Sequence, residues 1–198
     1  MDPGTGGFAY HYPIEDASDL ATLLEPETEQ EWRLLQDPLL CRGLLWGKPR
    51  FGHPEGKVGL HVREIFDNIE ALEVDATTRR RLRLIALVHD AFKCVEDTSR
   101  PRNWSRHHSI LARNFLETYT KDKGVLEVVE LHDEAYYAWR SIHLYKMIEK
   151  GQERLQRLLD RLGKHLPLYF LFFKCDTKTG DKNQAPLRWL EKVVEALT

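Results

Sequence analysis

Three histidines and two aspartates stand out in this chain because of where they fall on apolar stripes. His61 lies three residues after Val58 and four before Ile65. His89 lies four after Ile85 and three before Phe92, with Asp90 beside it. His132 follows Val125, Val128 and Val129, and Asp176 follows Tyr169, Phe172 and Phe173. An inward-facing stripe should be apolar, so each polar exception needs a partner or a cation. One such histidine alone is ordinarily a hydrogen-bonded core residue. Together with carboxylates, however, imidazoles form the ligand set that suits Mn, Fe, Co, Ni or Zn, whereas a structural zinc leans on cysteine pairs. The three cysteines, Cys41, Cys94 and Cys175, form no CxxC pair. The expectation is a divalent transition metal with a catalytic rather than a structural role.

Helices must position these groups. Apolar residues at 58, 62, 65, 69 and 72 predict a helix over 57–72, and Leu82, Ile85 and Val88 predict one over 76–92. Further helices are expected at 105–119, 123–133, 135–150, 152–165, 167–176 and 186–197. Earlier in the chain, Thr28 and Glu31 have capping-box spacing ahead of Trp32 and Leu35, and a short helix is expected over 39–46. Pro49, Gly52 and Pro54 mark 47–56 as a loop. Residues 1–27 read as a partly mobile arm, its first 19 residues without apolar period, and 28–198 as one all-α helical domain, because period-two alternation is almost absent.

Composition bounds the rest. A chain of 198 residues, 42% hydrophobic and 30% charged, is long enough to bury roughly 70% of its unfolded surface. Its formal charge of −2 supplies no global pull towards nucleic acid or an anionic membrane. Free thiols fit a reducing cytoplasm. The longest apolar run, near Leu166 to Phe173, is far shorter than the roughly 20 residues that cross a bilayer.

His61, His89-Asp90 and Asp176, each on its own helix of an all-α domain, resemble the HD superfamily of metal-dependent phosphohydrolases over roughly Phe51 to Asp181. Locally, Gly52-His53-Pro54-Glu55-Gly56 ahead of His61, with Leu87-Val88-His89-Asp90-Ala91-Phe92-Lys93, is similar to the HD domains attached to bacterial tRNA nucleotidyltransferases and to RNA end-healing kinases. One departure is Phe92, where those relatives usually carry glycine, a change expected to reshape the pocket wall. The resemblance implies a helical bundle in which His61, His89, Asp90 and Asp176 bind a first metal. It also implies a second metal, bridged by Asp90, with His107 and His132 as ligands. Periodicity does not choose between His107 and His108; only the family offset favours His107.

The implied chemistry is in-line attack of metal-activated water at phosphorus, with Asp90 and Lys93 as catalytic groups. Lys93 would offset phosphate charge, although a helix-end lysine favoured by the dipole has the same sequence signature. Candidate substrate-binding groups are His53 and His108 at the pocket edge and Arg100, Arg102 and Arg106 in the loop before His107. Pocket-wall segments are expected at 47–56, 95–106 and 134–140. The run Arg79-Arg80-Arg81-Leu82-Arg83 is expected as a solvated face, with nucleic-acid backbone contact as the alternative. Tyr136-Tyr137 with Trp139-Arg140 could stack on a base, but such spacing is ordinarily core. The expected partner is a nucleotide or other phosphate ester, RNA ends with a 2′,3′-cyclic phosphate included. Two other readings use the same residues: a nucleotide-sensing module without turnover, and a di-iron oxygenase.

Overall fold

The computed structural model describes residues 14–101 and 103–197. Among them are eleven α-helices: α1 (Ala17–Leu24), α2 (Glu29–Leu35), α3 (Pro38–Leu44), α4 (Val58–Glu70), α5 (Ala76–Val88), α6 (His108–Leu116), α7 (Lys123–Leu131), α8 (Glu134–His143), α9 (Ile148–Leu162), α10 (Leu166–Thr177) and α11 (Ala185–Glu195). No strand occurs among the described residues; one isolated bridge pairs Arg50 with His53. The chain is an all-α protein, and none of these helices is long and apolar enough to cross a membrane.

Side chains cap many helix starts. The carboxylates of Asp16, Asp37, Asp75 and Asp122 and the Thr28 hydroxyl accept hydrogen bonds from the first-turn backbone, satisfying donors that a helix leaves unpaired. Glu31 does not complete a capping box with Thr28. Its carboxylate instead accepts from the Glu27 amide and receives the buried Arg83 guanidinium, both nitrogen–oxygen pairs at 3.0 Å.

Helix α10 is apolar on several faces and packs against α4, α5, α7, α9 and α11, as a helix without a polar side must. Around it Val62, Ile65, Phe66, Ile69, Leu82, Ile85, Val125, Val128, Val129, Tyr169 and Phe172 are buried. Those are the stripes that also carry the histidines.

Three expectations need correction. Residues 14–27 are not an arm: Ile14, Leu20 and Leu24 are buried core residues, and α1 packs on α4. Residues 1–13 lie outside the described residues. Helix α5 ends at Val88 rather than continuing to Phe92, because a 3₁₀ turn over Ala91–Val95 takes over after His89-Asp90. The expected helix over 135–150 breaks at 144–147 into the α8–α9 hairpin. Gly151 permits its tight contact, since a Cβ there would lie 2.4 Å from Ile142 Cγ1.

The arginine run is also not one solvated face. Arg79 pairs with Glu27 and Glu70, Arg81 pairs with Asp122 at 2.8 Å, and Arg83 is buried over the Phe66 ring, 3.9 Å from its centroid. Arg80 is exposed. Three of the four guanidiniums are thus engaged by this chain's own carboxylates, which removes the basis for reading the run as a nucleic-acid face.

Candidate metal centre

Three chain segments bring a first cluster together. His61 comes from α4, His89 and Asp90 from the turn ending α5, and Asp176 from the last turn of α10. His61 Nε2 lies 2.9 Å from Asp176 Oδ1; His89 Nε2 lies 3.8 Å from the same oxygen and 3.6 Å from Asp90 Oδ2. His89 Nδ1 is 2.9 Å from the carbonyl of Ala86. A carbonyl only accepts, so Nδ1 carries the proton and the neutral ring presents a lone pair at Nε2. Nε2 is buried without a hydrogen-bond partner. Burial also holds this ring neutral, pulling its pKa down to about 3.

Asp90 joins this cluster to a second. Its Oδ1 lies 3.4 Å from His132 Nε2 and 3.5 Å from His108 Nε2, and the two imidazole nitrogens are 3.3 Å apart. His132 Nδ1 donates to Val129 O at 2.8 Å, and His108 Nδ1 lies 3.3 Å from Glu96 Oε2. Each ring is therefore oriented from behind with Nε2 turned inward, the support that metal-ligating histidines require. The expected partner His107 is not in this group. It is the residue before α6 in extended conformation, and its ring turns back so that Nδ1 meets Ser109 Oγ at 2.9 Å. Its Nε2 lies 3.6 Å from Glu96 Oε1 and 3.4 Å from Tyr137 Oη. His108 is thus the neighbour that meets Asp90 and His132, whereas His107 converges with His108 on Glu96.

Two tests support a cation fit. Imidazole nitrogens and carboxylate oxygens converge in the sets His61/His89/Asp176 and Asp90/His108/His132, and His89 Nε2 is an orphaned buried acceptor. The local field points the same way. Burial disfavours charge on His132, yet Asp133 and Asp90 outweigh it and push the ring up to about 9. Burial opposes the ionised forms of Asp90 and Asp176 too, but Lys93 and the hydrogen bond with His132 hold the first, and Lys182 and the hydrogen bond with His61 the second, well below the usual carboxylate range. Both carboxylates are ionised at neutral pH.

Asp90, His108, His132 and Asp176 line a cleft of about 530 Å³, while His61 and His89 are buried. A larger groove of about 1100 Å³ between α1, α2 and α3 is mainly apolar and holds none of these groups. His53, Lys93, His108 and His132 line the cleft. Lys93 Nζ lies 2.5 Å from Asp90 Oδ2; burial works against its charge, but Asp90 and Asp133 raise its pKa. Arg100 and Arg106 are exposed and do not line the cleft, and Arg102 lies outside the described residues. Arg50, Arg140 and Lys182 supply its basic side chains instead. Phe92 does not reshape the wall: it is buried with its ring 5.1 Å from that of Phe115.

Sequence reasoning gave no role to Glu55, Glu96, Asp133 or Lys182. Glu55 Oε1 lies 2.9 Å from His53 Nδ1 and 3.3 Å from His61 Nδ1. Asp133 Oδ2 lies 3.3 Å from His108 Nε2, and Lys182 Nζ lies 2.8 Å from Asp176 Oδ1. Adjacency to His53 and His132 marked two of them; nothing periodic marked Glu96 or Lys182.

Comparison with curated proteins and with solved structures found no match. Comparison with protein families matched residues 50–163 to the HD domain. That family is in general one of metal-dependent phosphohydrolases, and its divalent-metal chemistry fits the donor sets above. The match spans more than half of the chain and contains every clustered donor except Asp176 of α10, so this protein belongs to the HD-domain family.

Proposed function

We propose that this protein hydrolyses a phosphate ester of a nucleotide or an RNA end, a 2′,3′-cyclic phosphate among them, using one or two divalent metals. The observation that carries the reading is the pair of adjoining donor clusters meeting at Asp90 in the lining of an open, partly basic cleft. His61, His89, Asp90 and Asp176 would hold a first metal, and Asp90, His108 and His132 a second. When bound, such a metal lowers the pKa of water towards neutrality and polarises a phosphoryl oxygen.

The chain's own side chains set the rest. Asp90 directs Oδ2 towards His89 and Lys93 and Oδ1 towards His108 and His132, so one carboxylate can serve both clusters. Lys93 stays cationic and offsets phosphate charge beside Asp90. Lys182 and Glu55 hold Asp176 and His61 in place, and His53 stands at the cleft edge. Mn, Fe, Co, Ni and Zn all suit this mixed set.

Purified protein is expected to carry transition metal by elemental analysis and to cleave a panel of cyclic and monoester nucleotides. His89→Ala or Asp90→Ala should lower metal content and abolish turnover, because the bound metal supplies the activated water. Full turnover in these variants, or in chelated protein, contradicts the proposal. The two-histidine second cluster also favours one other reading, a di-iron pair activating oxygen. Two irons per chain with oxygen consumption and no phosphate release would identify it.

A further inference from the structure

Arginines near charged partners in this domain are mostly neutralised. Arg79, Arg81, Arg83, Arg154 and Arg161 all pair with carboxylates. Arg140, on the last turn of α8 and in the cleft lining, does not. Among the described residues it has no carboxylate partner. Its guanidinium lies instead over three aromatic rings, 5.6 Å from the centroid of Tyr136, 5.2 Å from Tyr137 and 5.3 Å from Tyr145. An aromatic cradle fixes a cation without cancelling its charge, leaving planar N–H donors suited to an oxyanion. Arg154 shows the contrast. It also lies over Tyr137, at 4.8 Å, but Glu134 neutralises it, with one nitrogen–oxygen pair at 2.7 Å.

Arg140 is set one ring outward from the metal clusters. Tyr137 Oη donates to Asp133 Oδ2 at 3.2 Å, and Asp133 Oδ2 lies 3.3 Å from His108 Nε2. Arg140 thus lines the same cleft as Asp90 and His108, joined to Asp133 through Tyr137. Around it the rim has exposed aromatics. Tyr136, 37% exposed, stacks on Trp139, and Phe51, 88% exposed, projects beside the exposed Arg50. Unneutralised cations interleaved with open aromatic faces are the surface that tracks single-stranded nucleic acid, one phosphate and one base at a time.

We infer that the rim binds the nucleotide next to the scissile ester, with its phosphate at Arg140 and its base against Tyr136. The substrate is then the end of a single-stranded nucleic acid rather than a free nucleotide. This inference rests on the phosphoesterase reading above, and its test separates the two.

The test compares kcat/KM for a 2′,3′-cyclic mononucleotide with that for a trinucleotide carrying the same terminus. Anisotropy of fluorescein-labelled RNA and DNA trinucleotides with a 3′-phosphate measures binding independently of turnover. Wild type should favour the cyclic trinucleotide by about tenfold or more, the scale of one charge-assisted contact. Arg140→Ala and Tyr136→Ala should bring that ratio near one and weaken trinucleotide binding by about tenfold. Arg140→Lys, which keeps charge without the planar fork, should fall between and serves if the alanine variant unfolds. Arg80→Ala, an exposed cation on α5 outside the cleft, should change neither ratio nor binding. Equal kcat/KM for the two substrates in wild type, or an unchanged ratio in Arg140→Ala, overturns the inference. If neither substrate is cleaved, the phosphoesterase reading fails, and binding decides alone: a loss in Arg140→Ala supports the rim site and equal binding overturns it.

Discussion

His107 and His108 are identical in chemistry and adjacent in sequence, so what separates them is the backbone. His107 precedes α6 in an extended conformation, and its ring accepts from the Ser109 amide as a helix cap. His108 opens the helix and turns Nε2 to His132 and Asp90. The two substitutions should therefore differ in kind. His108→Ala is expected to lower metal content from two equivalents to one by elemental analysis. His107→Ala should keep both equivalents and lose about 1 kcal/mol in urea unfolding, the scale of a lost cap. The reverse pattern would return the second site to His107.

At the scale of elements, the spacing between α3 and the turn carrying Asp90 is set by one residue. Gly43 sits so close to that turn that an added Cβ would lie 2.0 Å from the Ala91 carbonyl oxygen. Helix propensity alone would make Gly43→Ala stabilising by about 1 kcal/mol. The contact reverses the sign, because Ala91 is backbone in a packed core and cannot move alone. Gly43→Ala is expected to destabilise by roughly 1–3 kcal/mol and, since Asp90 precedes Ala91, to weaken metal binding as well. Thermal unfolding and metal titration of the variant check both halves. An effect on stability with unaltered metal affinity would show that the turn absorbs the strain before reaching Asp90.

Across the whole molecule, the candidate ligands come from α4, the turn after α5, α6, the end of α7 and α10, all packed round one core. A cation held there ties together segments from residue 61 to residue 176 and should stabilise the fold as a ligand of the native state. Metal at about 100 times its dissociation constant is expected to add about 2.7 kcal/mol. Removal by chelator should lower Tm correspondingly, and restored metal should recover it. No change in Tm on chelation would mean that the clusters hold no ion.

Much of this was legible in the sequence because it depends on local rules. Helical period located the elements and the absence of alternation gave the all-α class. Polar residues on the stripes of α4, α5, α7 and α10 disclosed His61, His89, His132 and Asp176, since burial leaves an unpartnered polar group no favourable state. The end of α5 at Val88, the burial of Ile14 to Leu24 and the inward turn of Arg83 were not legible, because they arise from contacts between segments distant in sequence. The choice of His108 over His107, and of Arg50, Arg140 and Lys182 over Arg100 and Arg106, has the same origin. Sequence by itself determined which side chains are unfit for an apolar core. Only the tertiary structure decided which of them face one another, because ligand convergence and charge pairing are properties of distance in space.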